Sequence, residues 1–222
     1  MNIHKCFLIQ IAIAVGASLL LSSTANGEVW RSQQLNCEIT LPSGGGWTSV
    51  PSTVPAIKVA VRNPAELKAI VLVVSDAPRD GQTLTTFLPG FINGVLKKGL
   101  STDVSEDRLT IDGRAAFSLG QTVSLKGTKM RIVNNIVIDH GTVYIIEASS
   151  PSTNPLDDPE LNTTLKSFHF LSATPPPSLR SPTHDPLNRL PGLIGHITFC
   201  VLVGIAVIGV IIKVTFQPKT KS

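Results

Sequence analysis

The stretch VIDHGTVYIIEAS, residues 137–149, gathers Asp139, His140, Tyr144 and Glu147. An imidazole with two carboxylates is a set from which general acid–base catalysis is built, provided that the side chains meet. Spacing decides whether they do. Apolar residues on both sides of His140-Gly141 read as two strands joined by a two-residue turn, which sets Asp139 opposite Thr142, Ile138 opposite Val143, Val137 opposite Tyr144 and Asn134 opposite Glu147. Glu147 is then five residues from the turn, roughly 17 Å along the strand at about 3.4 Å per residue, too far to share a proton with His140. Asp139 and His140 are expected to serve the turn, where an aspartate makes local hydrogen bonds. Asn134 and Glu147 are the stronger candidates. Both faces of the hairpin are largely apolar, so the sheet is expected to be covered on both sides, and a carboxylate on a covered strand needs a partner. This pair is the candidate ligand-binding site, and no catalytic set emerges.

Other reactive residue types have structural explanations. Cys37 is the single cysteine between the two long apolar runs of the chain, which rules out an intramolecular disulfide there; beside the strand-like EITL it reads as a small buried residue. SGGGW, residues 43–47, lacks the lysine and following helix of a phosphate loop and reads as a turn. DDPE, residues 157–160, has no spaced ladder of calcium ligands and marks a helix start. Asp103, Glu106, Asp107 and Asp112 alternate with strand residues as a solvated edge does. His169 and His184 are expected on the last helix and in the following linker, so the histidines form no metal set and no cofactor is expected. Asn162-Thr163-Thr164 is a glycosylation sequon only where the host uses that pathway.

The elements that would position these residues are legible in order. CEITLP is a short strand; AIKVAV and KAIVLVVS are strands joined by a turn at Asn63-Pro64. Leu84, Phe87, Leu88, Phe91, Val95 and Leu96 recur at helical spacing, with Thr83 placed to cap, Lys97 and Lys98 suited to the C-terminal dipole, Gly99 to stop and Pro89 to kink. Two hairpins follow, turning at Asp112-Gly113 and His140-Gly141, and a last helix begins with Asp158 as cap and Pro159 at its first position. The order is three strands, a helix, four strands, a helix: an α+β domain with an antiparallel sheet sandwiched by helices.

The same residues carry a family likeness. IDGRAAFSLGQTVSLKGTKMRIVNNIVIDHGTVYIIEASSP, a following helix ending LKSFHF, and the early ITLPSGGGW resemble PsbP-like domains and the related DcrB-type bacterial envelope lipoproteins. The resemblance spans about residues 36–171. It implies an α/β/α sandwich and a non-enzymatic role in binding or assembly at a membrane. The chain departs from the lipoproteins in having no lipobox cysteine after its leader, and no metal-binding histidines carry over.

Flanking segments set the expected topology. Lys5, the apolar run from Phe7 to Leu21 and the small residues Ala25-Asn26-Gly27 form a signal peptide over residues 1–27. The exported domain is residues 28–172. Six prolines between Thr174 and Pro191 make residues 173–189 an extended linker, reaching roughly 55 Å at about 3.1 Å per residue. The run from Leu190 to Ile212, 23 residues or about 34 Å of helix, is long enough to cross a bilayer of about 30 Å. Residues 213–222 are then a basic cytoplasmic tail, since Lys213, Lys219 and Lys221 obey the positive-inside rule. Residues 28–190 hold 15 basic and 15 acidic side chains, so the net charge of +4 comes from the flanks. A neutral domain argues against nucleic acid, which asks for clustered cations. The expected partners are the lipid bilayer, through residues 190–212, and a protein of the envelope or membrane. The alternatives are an envelope hydrolase, or a receptor-like relay whose ten-residue tail is too short to fold.

Overall fold

The computed structural model describes residues 27–172, apart from 78–80, 97–100, 126 and 152. The expected signal peptide, linker, membrane helix and tail lie outside the described residues, apart from Gly27. Among the described residues no helix is long and apolar enough to cross a membrane.

The described elements run β1 (Glu28–Ser32), β2 (Cys37–Leu41), β3 (Thr48–Ser49), β4 (Ile57–Asn63), β5 (Lys68–Asp76), α1 (Leu84–Leu96), β6 (Ser101–Ile111), β7 (Arg114–Leu125), β8 (Thr128–Asp139), β9 (Thr142–Ser150), α2 (Pro159–Lys166) and β10 (His169–Phe170). Seven strands form one antiparallel sheet in the order β3-β4-β5-β9-β8-β7-β6, and β1-β2-β10 form a small second sheet. Both expected hairpins are present. Asp112 and Gly113 have φ of 48° and 76°, His140 and Gly141 48° and 80°, the left-handed pair of a two-residue turn whose twist matches the flanking strands. The β8–β9 register follows from that turn: Asp139 faces Thr142, Val137 faces Tyr144 and Asn134 faces Glu147.

Alternation along the central strands β5, β8 and β9 sends apolar residues to both faces, and both faces are covered. On one, Val71, Val73, Leu119, Ile136 and Ile145 pack with Phe87, Phe91 and Val95, one face of α1 at helical spacing. On the other, Val137, Tyr144 and Ile146 pack with Leu161 and Leu165 of α2, with Phe168 and Phe170, and with Cys37 and Ile39 of the small sheet. Fully buried residues such as Ile136 and Ile146 each contribute about 1.5–3 kcal/mol of hydrophobic stabilisation, so the central hairpin is anchored from two sides.

The helix ends show what the chain does next. The Thr83 carbonyl accepts from Phe87 N at 3.0 Å, and Thr86 Oγ1 accepts from Thr83 N at 3.1 Å, so the Thr86 hydroxyl satisfies the amide of the residue before α1, as the returning side chain of a capping box does. Pro89 lies inside α1, whereas Lys97, Lys98 and Gly99 lie outside the described residues. Asp158 caps α2 as expected, its Oδ1 accepting from Glu160 N and Leu161 N at 3.1 Å each, with Pro159 next. One expectation fails at the other end. His169 is not helical: α2 stops at Lys166, because the Ser167 hydroxyl donates to Thr164 O at 2.8 Å and accepts from Thr40 N at 2.9 Å, pulling the chain onto β2. His169 and Phe170 then pair with Glu38 and Cys37.

Candidate binding site on the sheet

Four titratable groups of the central hairpin occupy three separate environments. At the turn, Asp139 is buried instead of facing water, because its Oδ1 receives Arg114 Nε at 2.9 Å as well as lying 3.0 Å from His140 Nδ1. The Arg114 guanidinium stacks 4.0 Å over the Phe170 ring and donates to Ser172 O at 3.3 Å. This knot joins the end of β8 to the last described residues. Its mate at the other turn is Asp112, which accepts from Phe170 N at 2.6 Å and from His169 Nδ1 at 3.4 Å. Each of the two imidazoles among the described residues thus sits on an aspartate that already has a structural task.

Tyr144 points to the opposite face from Glu147. Its hydroxyl donates to Leu35 O at 3.0 Å, and its ring meets Phe170 edge-on at 5.1 Å. Burial pushes its pKa up, away from any proton-transfer role near neutrality. Cys37 is fully buried beneath the same aromatic cluster, and burial pushes its thiol up to about 12, as a core residue requires.

Asn134 and Glu147 stand side by side on the α1 face. Asn134 is buried, and Glu147 keeps partial exposure. Their cross-strand neighbours beyond the pair are Leu119 on β7 and Val71 on β5, both buried and apolar. No side-chain hydrogen bond or ion pair among the described residues reaches either one, and they do not bond to each other. Burial accordingly pushes the Glu147 carboxyl from its ordinary 4.5 up to about 7. The sequence places the two residues together, but it does not show that both lack a side-chain partner among the described residues.

A second asparagine was missed by the sequence reading. Asn135, the next residue of β8, is buried on the α2 face with its Oδ1 unpaired. The signal is present in RIVNNIVI, residues 131–138, where two adjacent amides interrupt an apolar central strand and alternation sends one to each face. Asn135 lines a cavity of about 450 Å³ beside α2, and neither Asn134 nor Glu147 does.

The remaining candidates resolve into structure. SGGGW is a turn with φ of 71°, 54° and 92° at its glycines, held to β4 by Asn63 Nδ2 donating to Gly45 O at 2.9 Å. Asp158 pairs with Lys68 at 2.8 Å besides capping α2; burial alone would raise its pKa, but the ammonium and the two amide donors outweigh burial and hold it below the ordinary value. Asp103, Glu106 and Asp107 are exposed on β6, which has no neighbour on its outer side in the sheet. Among the described residues no three metal-ligating side chains cluster.

No protein-family model and no curated protein sequence matches the chain. Solved structures do. The solution structure of cyanobacterial PsbP (CyanoP) from Synechocystis sp. PCC 6803 superposes with a TM-score of 0.51 at 17% identity, covering 68% of this chain and 95% of that one. The fold is PsbP-like. Two further structures share lower similarity: LpqN, involved in cell envelope biogenesis of Mycobacterium tuberculosis, with a TM-score of 0.46 at 17% identity over 66% of this chain and 86% of its own, and PA94 from Pseudomonas aeruginosa, with 0.40 at 14% over 69% and 99%. At such identities the likeness is one of fold. The unpartnered pair Asn134 and Glu147 is therefore argued from the geometry of this PsbP-like sheet alone.

Proposed function

We propose that the protein is a single-pass membrane protein whose PsbP-like domain stands outside the cytoplasm and works, without turnover, as a binding or assembly module for a partner in the envelope or membrane. The observation that carries this reading is the pair Asn134 and Glu147, two polar side chains that no side-chain partner reaches among the described residues, on a sheet face largely packed with apolar groups. Acid–base catalysis needs a second titrating group within hydrogen-bond reach, and the residues directly opposite Glu147 are Asn134 and Val71, which do not titrate. Binding needs only that donors arrive, since a partner that satisfies the carboxylate recovers the cost of having buried it. Anchorage is supported by the sequence: the apolar run Leu190–Ile212, the lysines that follow it and the proline-rich linker before it suit a tethered domain with a cytoplasmic C-terminus.

Affinity capture of the full chain from detergent extracts of its own membranes tests the reading. A partner should be recovered with the wild type and reduced about tenfold, a loss of roughly 1.4 kcal/mol, by Glu147→Ala and by Asn134→Ala. Equal recovery with both variants contradicts binding through this pair. A substrate-turnover rate abolished by Glu147→Ala overturns the non-enzymatic reading.

A further inference from the structure

Two cavities on the α2 face of the sheet join into one trench beside the outer strand β6. The larger, about 450 Å³, is lined by Leu109, Asp112, Lys166 and His169, and it shares Asp107, Ser118 and Leu156 with the smaller, about 260 Å³. Part of its apolar lining is open to solvent: Leu156 is 37% exposed and Leu109 is half-buried. Asp107 is exposed and enters no ion pair among the described residues. It stands five residues from Asp112, about 17 Å along β6 at about 3.4 Å per residue.

The chain leaves the domain at one end of this trench. His169 Nδ1 lies 3.4 Å from Asp112 Oδ1, Phe170 N donates to Asp112 Oδ2 at 2.6 Å, and Arg114, two residues further on, donates to Ser172 O at 3.3 Å. The sequence then reads ATPPPSLR, residues 173–180. With residues 172–174 turning the chain back, residues 175–180 reach roughly 19 Å in polyproline II at about 3.1 Å per residue, which matches the distance from Asp112 to Asp107. That length carries three prolines past the exposed His169 ring, Leu179 to the level of Leu109 and Leu156, and Arg180 to Asp107. A proline-rich segment is already extended, so it loses little freedom on docking in a groove. Because it belongs to the same chain, its effective concentration at the trench is high and a weak contact suffices.

We propose that the trench between α2 and β6 is a docking site for the chain's own segment 175–180, with Leu179 against the apolar lining and Arg180 paired with Asp107. The docking concerns the domain and its adjoining segment alone, whereas its consequence rests on the anchored reading given above. Docking leaves residues 181–189 as the tether, about 28 Å at about 3.1 Å per residue, so the domain is held close to the bilayer, and a partner that takes the trench releases the full reach.

Disulfide trapping in the full chain, reconstituted in vesicles with Cys6 and Cys200 replaced by serine, tests the docking. Ser178→Cys is combined either with Lys166→Cys, exposed at the trench, or with Asn93→Cys, exposed on α1 across the sheet. Both pairs feel the same tether, so docking is read as an intrachain bond that forms about tenfold faster with Lys166→Cys. Arg180→Asp, outside the folded domain, should slow that reaction about fivefold, the limit for an exposed ion pair, and Asp107→Arg added to it should restore the rate. Equal rates for the two cysteine pairs, no response to Arg180→Asp, or no recovery on charge exchange overturns the proposal. A bond that forms faster between two chains than within one overturns it in favour of a trench filled by a second copy.

Discussion

Glu147 should make the folded state less stable as the medium becomes less acidic, and removing its charge should abolish that dependence. In the folded protein its carboxyl titrates at about 7, against an ordinary 4.5 expected of the unfolded chain. Between those two values the folded state holds a proton that the unfolded state has released, so stability falls as pH rises and levels off above about 7. At roughly 1.4 kcal/mol per pH unit the full gap is worth about 3 kcal/mol, and the partial exposure of the side chain reduces the net effect to about 2. Glu147→Gln should therefore stabilise the fold by about 2 kcal/mol at pH 8 and by less than about 1 at pH 5. Urea denaturation of residues 28–172 at the two pH values, followed by the fluorescence of Trp30 and Trp47, measures the difference. Equal effects at both pH values, or a destabilised glutamine variant at pH 8, would mean that the ionised carboxylate already has a partner, and the argument for a site completed by binding would fail.

Three further outcomes follow from the same geometry. Arg114→Ala strands the buried Asp139 carboxylate, whose Oδ2 is already unpaired, and should cost about 3 kcal/mol in urea denaturation, well beyond a surface substitution. Asp158→Ala removes the cap of α2 and the Lys68 partner, with a loss of about 1–2 kcal/mol at pH 7. Because the folded pKa of Asp158 is lowered, this contribution is present above the ordinary 3.8 and disappears as pH falls through the folded value, so the wild-type and alanine stabilities should converge in acid. Cys37 should resist a thiol reagent at pH 8 in the folded domain and react at once in urea; rapid reaction without denaturant would place it outside the core.

The hairpin that bears the candidate site was legible because a two-residue turn leaves no freedom of register: once His140-Gly141 is the turn, Asn134 must face Glu147. The α1 stripe of Phe87, Phe91 and Val95 and the Asp158-Pro159 start of α2 were legible for equally local reasons. What stayed hidden depends on distant contacts. β1 is a short and largely exposed strand, β3 has two residues, and β10 exists because Ser167 bonds to Thr40 across 127 residues of sequence, a contact that helical spacing through Leu161, Leu165 and Phe168 cannot anticipate. Asn135 gives a weaker local signal than Asn134, because it faces Ser118 and Ile146 and no charged residue. The burial of Asp139 was hidden for the same reason, since Arg114 reaches it from another hairpin.

The proposed placement of the domain outside the cytoplasm admits a direct measurement. In a full chain with Cys6 and Cys200 replaced by serine, Ser52→Cys puts one exposed thiol on the folded domain while Cys37 stays buried. A membrane-impermeant maleimide applied to right-side-out vesicles should label that thiol without lysis, as an extracytoplasmic domain requires. Labelling only after the vesicles are opened would put the domain in the cytoplasm and contradict the account.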